Sequence, residues 1–188
     1  MIYLIGGAPR AGKSILCQQI AAKLRVGWIS TDLLMELLRL KKEAGVKTEW
    51  NAAPEAITAN AEWFFPYLAR FIWGVSFIAE SYVIEGVDFL PAQAAQLSTQ
   101  YPIRPVFLGC SSMTLEAFDQ FPGRSPGYSR LPEEVRRRIV QDVPRKSEFI
   151  RQECERFGYP YIDTSSDFAV RLHEAEAVLT TEPRPRSH

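Results

Sequence analysis

Gly7-Ala8-Pro9-Arg10-Ala11-Gly12-Lys13-Ser14 lies between the apolar run Ile2–Ile5 and the amphipathic stretch Ser14–Arg25, and it decides the fold of this 188-residue chain. It fills every fixed position of G-x-x-x-x-G-K-[ST]. The spacing has a mechanism. The glycines let the backbone curl so that successive N–H groups face inward around phosphate oxygens. Lys13 then reaches the β- and γ-phosphates of a nucleotide, and the Ser14 hydroxyl takes a place on Mg²⁺. The following helix adds its positive N-terminal end to the same site. Average residue usage makes a chance match in such a chain rarer than about one in a hundred. The bland alternative, a glycine turn with an incidental lysine, is disfavoured because the match sits between a strand pattern and a helix pattern. The candidate nucleotide-binding residues are Gly7, Ala8, Pro9, Arg10, Ala11, Gly12, Lys13, Ser14 and Ile15.

Outward from this stretch, short apolar runs alternate with helical patterns. The candidate strands are Ile2–Ile5, Val26–Ser30, Tyr82–Glu85, Pro105–Gly109 and Tyr159–Ile162. Leu16, Cys17, Ile20, Ala21 and Leu24 share one helical face. Leu33, Leu34, Leu37 and Leu38 share another, as do Phe168, Leu172, Ala175 and Leu179. Strands separated by helices indicate βαβ units, an α/β fold and a mainly parallel sheet. Gly27 and Pro160 weaken the second and fifth runs, which predicts that those two are outer strands. Pro144 is expected to divide the helical stretch Glu133–Phe157 in two. Residues 121–132, with three prolines and two glycines, read as a loop, and residues 181–188 as a frayed tail.

Composition excludes several classes. Apolar residues make up 46% of the chain, and 22 basic residues balance 22 acidic ones. Disorder needs fewer hydrophobics and more net charge, and a dedicated nucleic-acid binder needs a basic surplus. Three scattered cysteines with no CxxC indicate neither a disulfide scaffold nor structural zinc. The start MIYLIGG lacks the positive region of a signal peptide, so the expected location is cytoplasmic. Trp63–Ala79 is apolar but contains Pro66 and Arg70, and it reads as a buried core helix rather than a membrane span.

The sequence resembles the small P-loop kinases: adenylate, shikimate and gluconate kinases, with the zeta-toxin and chloramphenicol phosphotransferase group. The features are GGAPRAGKS, Ser30-Thr31-Asp32 closing the second strand, Val83-Ile84-Glu85-Gly86 closing the third, an arginine-bearing lid-like loop after the fourth, and Tyr161–Ser166. The first and third pieces also resemble the 2-phosphoglycerate-kinase-like branch. The resemblance implies a three-layer α/β/α sandwich whose five-stranded sheet has the order 2-3-1-4-5. It implies one kinase-like domain over residues 1–180 with a lid-like segment at 121–132. It also implies ATP and Mg²⁺ as cofactors, a small-molecule or nucleotide acceptor, and an adenine ring bordered by Tyr161–Ser166. The guanine reader NKxD and the switch DxxG of GTPases are absent.

Within this frame Lys13, Asp32, Arg124 and Arg130 are the candidate catalytic residues. Asp32 would orient or deprotonate the acceptor hydroxyl or help hold Mg²⁺, although an Asp here also suits a helix N-terminus. The family's usual Walker-B aspartate is replaced by Glu85 or displaced to Asp88, so Ser14, Asp32 and Glu85 are the candidate metal ligands. Arg124 and Arg130 would offset transition-state charge or else be solvated loop charges. Arg136-Arg137-Arg138 reads mostly as a solvated face, with Arg145 and Lys146 as weaker nucleotide contacts. The region 47–79 contains no group of basic residues for a charged acceptor. A module that binds ATP without transfer is the alternative, favoured by the irregular third-strand ending.

Overall fold

The five apolar runs form β1 (Ile2–Gly7), β2 (Gly27–Ser30), β3 (Tyr82–Glu85), β4 (Ile103–Gly109) and β5 (Tyr161–Asp163). All neighbouring strands are parallel, in the order β2-β3-β1-β4-β5. The computed structural model describes residues 1–40, 51–120 and 130–181. Arg124, most of the lid-like segment and nearly all of the tail therefore lie outside the described residues. The helices are α1 (Lys13–Leu24), α2 (Thr31–Arg39), α3 (Pro54–Val75), α4 (Pro91–Ser98), α5 (Leu115–Gln120), α6 (Glu133–Phe157) and α7 (Phe168–Thr180).

Gly27 and Pro160 mark the edges as expected, and each edge strand starts late for a local reason. Val26 donates its N–H to the Ala21 carbonyl at 3.1 Å, closing the end of α1 after the left-handed Arg25. It is thereby drawn out of β2. Pro160 stays before β5, and its carbonyl accepts the Phe107 N–H at 3.0 Å.

Side chains alternate across a strand, and this alternation divides the core. Leu4, Ile84 and Phe107 face α3, α4 and α6, whereas Ile5, Val83, Val106, Leu108 and Ile162 face α1 and α7. Three layers result. The same alternation sends Glu85, which pairs in register with Ile5, to the α1 side.

Two expectations are corrected. Helix α6 runs unbroken through Pro144. Proline removes one hydrogen bond and costs about 3 kcal/mol in a helix interior. Ile139, Val143, Ile150 and Cys154 are all buried on both sides of it, and each such burial contributes roughly 1.5–3 kcal/mol. Packing outweighs the break. In α2 the four leucines do not share a buried face: Leu34, Met35 and Leu38 pack on the core, while Leu33 and Leu37 are exposed. The stretch Trp63–Ala79 supplies a core helix only in part: Phe64, Leu68, Ile72 and Val75 are buried, but α3 ends at Val75, and Trp73, Phe77 and Ile78 are exposed. Among the described residues no helix is long and apolar enough to cross a membrane.

Candidate phosphate and acceptor site

The loop from Gly7 to Gly12 leaves β1 and enters α1 with Gly12 as N-cap at φ +90°, a left-handed conformation suited to glycine. Phe168, at the start of α7, covers Gly12 so closely that a Cβ there would lie 2.8 Å from its ring. No side chain caps α1. The Lys13 and Ser14 N–H groups precede the first intrahelical bonds, which run from Ile15 and Leu16 to Gly12 O at 3.0 Å each, and they remain available to an anion. The loop is anchored at its rim. Ala8 N–H donates to Leu108 O at 2.9 Å, and Thr164 Oγ1 donates to Ala11 O at 3.1 Å and Gly109 O at 2.9 Å.

Lys13 folds back over this loop, its Nζ donating to Ala8 O at 2.7 Å. It is 7% exposed. Burial pushes its pKa down, while the charges of Glu85, Asp32 and Asp88 pull it back up, and Lys146 adds to the lowering. One buried cation thus sits among three carboxylates.

Those carboxylates separate by geometry. Ser14 Oγ donates to Glu85 Oε1 at 3.1 Å, so the open choice between Glu85 and Asp88 as the acid beside Ser14 falls on Glu85. Asp88 turns elsewhere: Thr31 Oγ1 donates to its Oδ2 at 2.8 Å, and Asn60 Nδ2 to its Oδ1 at 3.4 Å. Burial raises the Asp88 pKa, against the Thr31 hydrogen bond. Gly86 makes this approach possible, because a Cβ there would lie 1.9 Å from Thr31 Oγ1. Asp88 thereby ties the start of α2 to α3, a role invisible in the sequence. Asp32 follows Thr31 in the first turn of α2 and is exposed.

Beyond the phosphate loop a cavity of about 300 Å³ opens between the start of α3 and the middle of α6, lined in part by Pro54, Ile57, Arg145, Lys146 and Phe149. Lys146 Nζ lies 2.8 Å from Oδ2 of the buried Asp142, a charge contact rather than an aligned hydrogen bond. Arg136, Arg137 and Arg138 form ion pairs with Asp119, Glu133 and Glu134, as a mostly solvated face should. Arg130 is exposed and makes no ion pair among the described residues. The late loop is ordered by Asp163, whose Oδ1 accepts the N–H groups of Ser111 at 3.1 Å and Ser165 at 2.9 Å. Burial works to raise the Asp163 pKa, but hydrogen bonding from the side chains and N–H groups of Ser111 and Ser165, the Ser111 side chain foremost, outweighs it and holds the pKa below the usual value.

Ser14, Glu85 and Asp32 offer only oxygen donors, which suits a hard cation such as Mg²⁺. Among the described residues no group of three or more His, Cys, Asp or Glu is placed to hold a metal alone.

No protein-family model matches the chain, and no curated protein matches it. Solved structures do resemble it. A gluconokinase from Sinorhizobium meliloti 1021 is 20% identical with a TM-score of 0.52, the match covering 94% of this chain and 90% of that one. Shikimate kinase from Bacteroides thetaiotaomicron is 17% identical with a TM-score of 0.53, covering 96% and 99%. An uncharacterized protein from Eubacterium ventriosum ATCC 27560 is 15% identical with a TM-score of 0.54, covering 97% and 99%. With the strand order and the phosphate loop already in place, these likenesses give the chain the fold of the small-molecule P-loop kinases.

Proposed function

We propose that this protein transfers the γ-phosphoryl group of ATP to a hydroxyl or phosphate of a small acceptor, with residues 1–180 acting as one kinase domain. The observation that carries this reading is the convergence of Lys13, Ser14 and Glu85 on the uncapped start of α1, beside a cavity lined by Arg145 and Lys146. The two neighbours named as kinases support the reaction class.

The residues divide the work. The loop and helix-start amides from Arg10 to Ser14 bind phosphate oxygens, since Pro9 has no N–H and those of Ala8 and Ile15 donate to Leu108 O and Gly12 O. Lys13 reaches the β- and γ-phosphates. Ser14 and Glu85, with Asp32 nearby, would hold Mg²⁺, which when bound neutralises phosphate charge. Asp32 orients the acceptor hydroxyl and accepts its proton. Arg145 attracts an acceptor that carries negative charge, while Lys146 is held by Asp142, and Arg124 and Arg130 are the proposed cations of the lid-like loop. Most of the rate arises from positioning and electrostatics.

The test is a product-detecting screen of wild type with ATP·Mg²⁺ against sugars, acids, nucleosides and nucleotides, followed by Asp32→Asn. The variant is expected to bind ATP normally and to lose transfer by about a hundredfold or more. Undiminished transfer in Asp32→Asn would remove the role given to Asp32. A wild type that binds ATP and phosphorylates nothing would favour a module that binds without transfer, the reading suggested by Glu85 standing where the family has Asp.

A further inference from the structure

Arg10 is the one phosphate-loop residue other than glycine with a positive φ, +67° among the described residues. That left-handed conformation is costly for a residue with a Cβ, and glycine would adopt it freely. Such strain persists only where the surroundings hold it. One contact that can help hold it is visible: the Arg10 guanidinium carbon lies 4.7 Å from the centre of the Phe118 ring. Phe118 is 1% exposed, the only buried residue of α5, and packed in the core. Its neighbour Asp119 pairs with Arg136 of α6. A continuous path of contacts therefore runs from the phosphate loop through α5 to α6, the helix that also carries Arg145 and Lys146.

We propose that Arg10 is a positioning residue that clamps the phosphate loop to α5 through Phe118, holding the loop ready for phosphate and making α5 respond when phosphate binds. A loop held in its binding shape loses less freedom on binding. Coupling of this kind is reciprocal, so phosphate must also steady α5. Arg10 acts here through its cationic plane on the aromatic face, an interaction that strengthens when desolvated. The inference rests on the loop's binding phosphate, not on phosphoryl transfer.

The probe is inorganic tripolyphosphate, titrated calorimetrically into the full chain as wild type, Arg10→Gly, Phe118→Leu and the double variant. Each single variant is expected to bind roughly three- to tenfold more weakly, in keeping with the size of a partly buried cation–π contact. The double variant is expected to be no weaker than the weaker single one. Hydrogen exchange supplies a second readout: tripolyphosphate should slow exchange at Leu115–Gln120 in wild type and not in Arg10→Gly. Arg10→Lys should recover most of the affinity that Arg10→Gln loses, which keeps the test decisive if Phe118→Leu does not fold. Equal or tighter binding by Arg10→Gly overturns the proposal, because relief of strain without loss of a clamp gives that result. Independent, multiplying losses in the double variant overturn it as well. If wild type binds no tripolyphosphate, the phosphate-site reading falls together with the clamp. If the coupling is intact and no acceptor is phosphorylated, only the transferase reading falls.

Discussion

The proposed phosphate end and the proposed acceptor end of this protein are built in opposite ways. The phosphate end is nearly contiguous: β1, the loop and the first turn of α1 span Ile2 to Ser14, with Glu85 as the main distant addition. The acceptor end brings Pro54 and Ile57 at the start of α3 against Arg145, Lys146 and Phe149 in the middle of α6. One end follows from local backbone chemistry and tolerates little change. The other depends on how two helices pack, and a cavity can be relined one side chain at a time.

The sharpest way to break this contrast is Lys13→Met. Loss of charge-assisted contacts to two phosphates, each worth about 1.5–3 kcal/mol, is expected to weaken ATP binding by about a hundredfold or more in a calorimetric titration. Near-wild-type binding would mean that phosphate lies elsewhere. Asp32→Asn comes next, with transfer lost and ATP binding kept, so that chemistry separates from binding.

Arg145→Ala probes the acceptor end. Removing one charged contact should raise the KM of an anionic acceptor about tenfold and leave the KM for ATP within about twofold. If the KM for ATP moves instead, Arg145 belongs to the phosphate end and the division between the two ends is misplaced.

The smallest effect concerns Asp88, which ties the start of α2 to α3. Its folded pKa is raised by burial, so the folded state keeps this proton to a higher pH than the unfolded chain does. Stability from this group is greatest below the ordinary carboxylate range and declines as pH rises through the folded pKa. Asp88→Asn cannot ionise and retains an oxygen to accept from Thr31. Its melting temperature at pH 8 is expected to exceed that of wild type by about 2–4 °C, as roughly 1 kcal/mol gives in a chain of this size. The gap should close as pH falls toward 4, and a gap that widens instead would show that the ionised carboxylate stabilises the fold.

Much of the architecture is legible in the sequence because its signals are local. Residues 7–14 carry the turn, the anion donors and the helix start in consecutive positions. Gly27 and Pro160 mark the edge strands because a missing side chain and a missing N–H are local properties. Local signals also mislead. Pro144 reads as a helix break, yet the four buried residues around it hold α6 in one piece. The leucines of α2 read as one apolar face, yet Leu33 and Leu37 face solvent. Periodicity identifies a stripe but does not say which part of it meets the core.

By itself the sequence determined the loop between β1 and α1, the alternation of strands with helices and the candidate roles of Lys13 and Ser14, since each depends on backbone chemistry between near neighbours. The candidate role of Asp32 came instead from the family resemblance. The choice of Glu85 over Asp88 beside Ser14 was decided only by the tertiary structure, because strand register turns one toward α1 and the other toward Thr31 and Asn60. Tertiary packing likewise brought Arg145 and Lys146 to the cavity at α3 and set Arg10 on Phe118. A contact between residues far apart in the chain leaves no periodic trace in either segment, because the force that creates it is the burial of surface shared by both.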